Sequence, residues 1–130
     1  MPRATLIASP PRPPAPMLAS PAKRPPGGPG WAYEFKWDGV RAIARWDGRK
    51  LTLHSRLGND VTPRYPELQV ADAMLGDRTA ILDGEVIAVG PDGRPSFSLL
   101  QNRMHVADAA RVRTLMRTVP CVYMIFDVLW

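Results

Sequence analysis

Ten of the fifteen prolines fall within the first thirty residues. Each proline fixes φ and removes a backbone donor, so this stretch cannot join a helix interior or a central strand. It reads as extended, polyproline-like leader, and the folded body must come from residues 31–130. A body of that size is enough for one domain. One piece of the leader departs from the rest: PMLA at 16–19 puts Met17 beside Leu18. Residues 16–20 are therefore expected to dock on the body.

The leader also explains the charge. Residues 1–30 hold Arg3, Arg12, Lys23 and Arg24 and no acid, whereas the rest of the chain holds 13 basic and 12 acidic residues. The net charge of +5 is thus mostly the leader's, and the body is near neutral. That argues against a small basic nucleic-acid-binding domain, which needs a basic surface on the body itself. Cys121 is the one cysteine, which excludes an internal disulfide and any cysteine metal cluster. No apolar run approaches the roughly 18 residues of a membrane span. The prolines interrupt any signal-peptide core. A soluble, cytoplasmic protein is expected.

At Trp31 the pattern changes to alternation. In WAYEFKW (31–37) Glu34 and Lys36 fall on one side, and Tyr33, Phe35 and Trp37 on the other, which predicts a strand. Asp38-Gly39 predicts a turn, 40–46 a second strand, Asp47-Gly48 a hairpin and 50–56 a third strand. Residues 31–56 thus read as an antiparallel meander. Pro66 and Gly76 frame a short helix over 67–75. A strand is predicted over 79–89, helices over 96–104 and 107–118, and an apolar strand over 121–129. The fold class is α+β, with antiparallel sheets flanked by helices. Arg113 and Arg117 share a helix face at i,i+4 while Arg111 points elsewhere, the pattern of a solvated face.

Lys36 stands out as a cation inside a strand pattern, beside a turn whose Gly39 lets backbone come close to a ligand. Arg41 and Arg56 lie on the neighbouring strands. A lysine and two arginines on one small sheet are suited to phosphate, which matches the guanidinium fork.

KWDGVR (36–41) fits the K-x-D-G-x-R motif of the covalent nucleotidyltransferases: ATP-dependent DNA ligases, RNA ligases and capping enzymes. SRLG (55–58), LDGEV (82–86) and YMIFDVL (123–129) follow in the order that this superfamily uses. The wider text, PMLA and then WAYEFKWDGVRAIA, is similar to bacterial ATP-dependent DNA ligases, including the ligase module of end-joining enzymes. The resemblance covers residues 16–130.

The resemblance implies a partial adenylation domain over 31–130, using ATP as AMP donor with Mg²⁺. Lys36 would form a lysyl-AMP phosphoramidate, and the AMP would pass to the 5′-phosphate of broken or nicked DNA in repair, recombination and replication. An attacking lysine must be neutral, and from a reference pKa of about 10.4 that costs about 4 to 5 kcal/mol at pH 7. By resemblance Arg56 contacts the AMP phosphate, Glu85 the ribose, Phe126 the adenine, and Arg41 the ribose or DNA. Glu34 lies beside the adenine pocket. Asp38, Glu85 and Asp127 are candidate metal ligands, and Asp83 a metal ligand or structural partner. A cytoplasmic, nucleoid-associated place follows. The superfamily's later motifs do not follow YMIFDVL, so the chain is expected to be the front part of a longer domain. Two alternatives stay open: an RNA ligase or capping-type transferase, and a non-catalytic remnant that only binds nucleotide.

Overall fold

The computed structural model describes residues 8–70 and 72–130. Its centre is a four-stranded antiparallel sheet of order β2-β1-β3-β4, built from β1 (Val40–Trp46), β2 (Leu51–Ser55), β3 (Ala80–Ala88) and β4 (Cys121–Val128). β1 and β2 form the hairpin that Asp47-Gly48 predicts: Asp47 Oδ1 accepts from the N–H groups of Arg49 and Lys50, and Gly48 takes a positive φ of 93°.

Alternation along the strands separates two faces. One carries Ala42, Ala44, Trp46, Leu51, Leu53, Leu82, Val86 and Ala88, and it packs on Val61, Tyr65, Leu68, Leu100 and Val119. Trp46 anchors this core and donates from Nε1 to Gly76 O at 3.1 Å. Helices α2 (Phe97–Gln101) and α3 (Ala109–Thr118) begin at Ser96 and Asp108, whose side chains accept from the N–H groups of Leu99 and Arg111. Arg103 is 1 % exposed; it pairs with Glu67 and donates to Val119 O at 3.0 Å and Arg64 O at 2.6 Å. It ties the segment before α1 (Asp72–Leu75) to the start of β4.

The second face carries Arg41, Ile43 and Arg45 of β1 and Ile81, Asp83, Glu85 and Ile87 of β3. The three isoleucines are at most 3 % exposed. The proline-rich leader lies over part of this face. Arg45 Nη2 donates to Pro10 O at 2.9 Å and Ser9 Oγ at 3.0 Å, and Arg45 Nε to Pro11 O at 3.3 Å. Thr79 Oγ1 donates to Ala8 O at 2.9 Å, and Arg41 Nη2 to Met17 O at 3.3 Å. Layers on both faces explain why β3 is buried along nearly its whole length.

Two sequence expectations differ from the structure. Residues 31–37 are not a strand. Both edges of β1 are taken, by β2 and β3, so this segment has no ladder to join there. Trp31, Tyr33 and Phe35 are exposed instead, and Phe35 and Trp37 set their rings 5.9 Å apart. The helix expected over 67–75 is replaced by 3-10 turns at Thr62–Arg64 and Pro66–Leu68 and the single turn of α1. Tertiary contacts win over local propensity here. The Gln69 amide accepts from Leu51 N at 3.2 Å and donates to Leu51 O at 2.8 Å, while Tyr65 and Leu68 are drawn into the core.

Candidate active site

A cavity of about 790 Å³ opens on the second face, at the end of the sheet where β1 begins. Its walls come from three places: residues 14–19 of the leader, residues 34–37, and side chains of the sheet. Lys36 is therefore on a cavity wall but not on a strand, a correction to the sequence reading. It is exposed, as is Glu34 beside it.

Gly39 packs closely on β3. A Cβ there would collide with the Val86 carbonyl and come 2.8 Å from Ile87 Cγ2. Its lack of a side chain lets the 38–39 bend press on β3, which fixes the direction in which residues 34–37 leave the sheet.

Arg41 and Asp83 sit in adjacent strands, two residues out of register, and so on the same face. Their side chains form a two-pronged ion pair: Arg41 Nε to Asp83 Oδ1 at 2.6 Å and Arg41 Nη2 to Asp83 Oδ2 at 2.7 Å. The Asp83 side chain is 6 % exposed and that of Arg41 26 %. The guanidinium also lies 4.7 Å from the centre of the Phe126 ring, a cation–π contact.

The Phe126 position depends on a β-bulge. Strands β3 and β4 pair steadily from Ala88↔Cys121 to Gly84↔Ile125, after which Asp83 pairs with Asp127. Phe126 is the extra residue. The slip turns Asp127 away from the face of Tyr123 and Ile125 and puts it in the cavity wall with Phe126. Gly84, beside the bulge, leaves room for the Tyr123 ring, which a Cβ there would meet at 2.7 Å. The Tyr123 hydroxyl donates to Ala42 O at 2.8 Å, and burial pushes its pKa up.

Glu85 lines the same cavity, half-buried. Burial raises its pKa above the ordinary carboxylate value; the charges of Arg41 and Lys36 and the Gly39 N–H oppose that shift, and Asp38 adds to it. The cavity thus gathers Lys36, Glu34, Arg41, Asp83, Glu85, Phe126 and Asp127. Arg56 and Asp38 are exposed and do not line it. Arg56 follows the last β2 residue paired with β1, Ser55↔Ala42, and so sits level with Arg41. Among the described residues no group of three or more His, Cys, Asp or Glu is placed to hold a metal ion. Asp38, Glu85 and Asp127 do not form a three-carboxylate cage.

Two contributors were not legible in the sequence: leader residues 14 and 15, which line the cavity ahead of the expected docking segment 16–20, and Arg45, which holds the leader. Alternation from Arg41 would have put Arg45 on the right face, but nothing local marks what it binds.

Residues 16–130 match the family described as ATP dependent DNA ligase domain. The chain belongs to this family. Among curated relatives, the multifunctional non-homologous end joining protein LigD of Mycolicibacterium smegmatis is 39% identical over 100 residues, which cover 77% of this chain and 12% of that protein. DNA ligase C of Mycobacterium tuberculosis is 38% identical over 117 residues, 90% of this chain and 32% of that one. A solved structure titled mycobacterial DNA ligase D complexed with ATP and MES superposes with a TM-score of 0.60 at 35% identity, covering 75% of this chain and 28% of that one. The ligase-family chain thus spans about a third or less of these relatives, and it shares the α+β fold of the ligase structures. Among its described residues no helix is long and apolar enough to cross a membrane.

Proposed function

We propose that this chain is the AMP-accepting part of an ATP-dependent DNA ligase that acts on DNA breaks and nicks in repair. The observation that carries the reading is the exposed amine of Lys36 in the wall of a cavity that also offers an aromatic ring, Phe126, and a carboxylate, Glu85. The relatives' names supply the substrates. The neutral Nζ of Lys36 attacks the α-phosphorus of ATP, the bond to pyrophosphate breaks, and the amine proton leaves to solvent. The AMP so held passes to a DNA 5′-phosphate, and a 3′-hydroxyl then displaces it.

The side chains divide this work. Glu85, half-buried and accepting, suits the ribose hydroxyls. Arg41 covers one face of Phe126, so adenine stacks on the other. With its fork taken by Asp83, Arg41 acts mainly by fixing that ring. Glu34 borders the base. Arg56 has no ion-pair partner among the described residues and meets phosphate from the end of β2. Mg²⁺, when bound, neutralises phosphate charge. Asp83 is committed to Arg41, so Glu85 and Asp127 would hold the ion, and Asp38 lies outside the cavity wall. Two carboxylates fit an ion that keeps several waters and takes phosphate oxygens. DNA as substrate places the protein in the cytoplasm, at the nucleoid.

The test uses ATP labelled at the α-phosphate, followed by a chase with a nicked duplex bearing a 5′-phosphate. The label is expected first on the chain and then on the DNA 5′ end. Label that stays on the protein through the DNA chase, or that moves to a nicked RNA duplex in preference, overturns the reading.

A further inference from the structure

The leader is more than an approach to the body. Its residues 14–19 form one wall of the cavity, yet they belong to no strand or helix. Something must hold them. The anchors lie on alternate residues of β1, which share the second face. Arg45 captures the carbonyls of Pro10 and Pro11 and the Ser9 hydroxyl. Arg41 takes the Met17 carbonyl at the cavity itself. Ile43, between the two arginines, is 1 % exposed, and Pro10 is buried.

The chemistry of the segment suits this use. An extended proline-rich chain makes no internal hydrogen bonds, so its carbonyls stay available to outside donors. A guanidinium presents several donors in one plane and can take two neighbouring carbonyls and a hydroxyl together. Proline's fixed φ means that little backbone freedom is lost on docking. Asp47, whose Oδ2 lies 3.9 Å from Arg45 Nη1, is too distant to compete strongly for that head group.

We propose that residues 8–19 form a strap that walls the nucleotide cavity, and that Arg45 is the positioning residue that holds it in place. Arg45 does not line the cavity and acts only through the strap. The inference rests on the nucleotide reading of the cavity, and it adds a residue outside every motif that carries the family resemblance.

The test compares the full chain with Arg45→Gln and with a Pro10→Gly, Pro11→Gly double variant, which loosens the strap without touching the sheet. ATP affinity is read by quenching of tryptophan fluorescence, Trp37 being in the cavity wall. The initial rate of AMP attachment is read at a series of ATP concentrations. A loosened strap is expected to weaken the Kd for ATP about five- to tenfold, the equivalent of about one net hydrogen bond, because the strap acts on the nucleotide only indirectly. The attachment rate at saturating ATP is expected to stay within about twofold, since Lys36 is untouched. Arg45→Lys, which keeps the charge but not the fork, is expected to recover part of the loss. Far-UV circular dichroism checks that each variant is folded. If the parent chain binds ATP and both variants bind it within twofold of the parent, the strap proposal is wrong and the nucleotide reading stands. If the parent chain binds no ATP, the nucleotide reading falls and takes the strap with it.

Discussion

Replacing Asp83 by Asn should lower stability by about 2 kcal/mol. Arg41 donates to both Asp83 oxygens, at 2.6 and 2.7 Å. Charge-assisted bonds of this kind contribute about 1.5 to 3 kcal/mol each where they are buried. Asparagine keeps one acceptor and turns an amide donor toward a guanidinium donor, so one bond is lost and the charge attraction with it. The Asp83 side chain is 6 % exposed, so water cannot replace what is removed there. The Arg41 side chain is 26 % exposed, and partial screening at that end brings the figure toward the lower limit. At about 4 °C per kcal/mol for a domain of this size, the melting midpoint should fall by about 8 °C. Urea unfolding of the parent chain, Asp83→Asn, Arg41→Met and the double variant gives the coupling directly. A coupling of about 2 kcal/mol is expected; a value below about 0.5 kcal/mol means that the two side chains act independently and refutes the fork.

Two further predictions concern the bend at Gly39 and the ionisation of Glu85. Gly39→Ala forces a methyl against the Val86 carbonyl and Ile87 Cγ2. It should cost about 3 kcal/mol or more, read as a lower urea midpoint, and an unchanged midpoint would show that the bend does not press on β3. Burial holds the Glu85 carboxyl above its ordinary value of 4.5, so the folded state binds this proton more tightly than the unfolded one. Its contribution to stability is therefore full below the unfolded pKa and lost as pH rises through the folded one. Glu85→Gln should flatten the decline in stability just above about pH 4.5, seen in urea midpoints across that window, whereas parallel pH profiles would contradict the shift.

The sheet was legible because its strands alternate and because Asp47-Gly48 is a strong turn signal. That several motif residues would come together was legible because they lie at fixed places on adjacent strands, and Arg41 of β1, Glu85 of β3 and Phe126 of β4 do line one cavity. Position 31–37 misled because alternation records which side chains could share a face, not whether a partner edge exists. Both edges of β1 are occupied, and no local signal says so. The bulge at Phe126 was hidden for a related reason. Strict alternation puts Asp127 with Tyr123, and only the pairing of Asp83 with Asp127 reveals the slip. The part of the strap ahead of the expected docking segment 16–20 was hidden because proline-rich composition describes the segment's stiffness and is silent about the arginine across from it. Arg41 was read as a ligand contact, and its fork to Asp83 needed two strands brought side by side.

The central claim is that Lys36 accepts AMP. Intact-protein mass measurement after incubation with ATP and Mg²⁺, with Lys36→Ala in parallel and fragmentation to locate any adduct, tests it most directly. The account predicts a gain of one AMP, located on Lys36 and absent from the variant. An adduct on another residue, or no adduct on a chain that circular dichroism reports as folded, would contradict it.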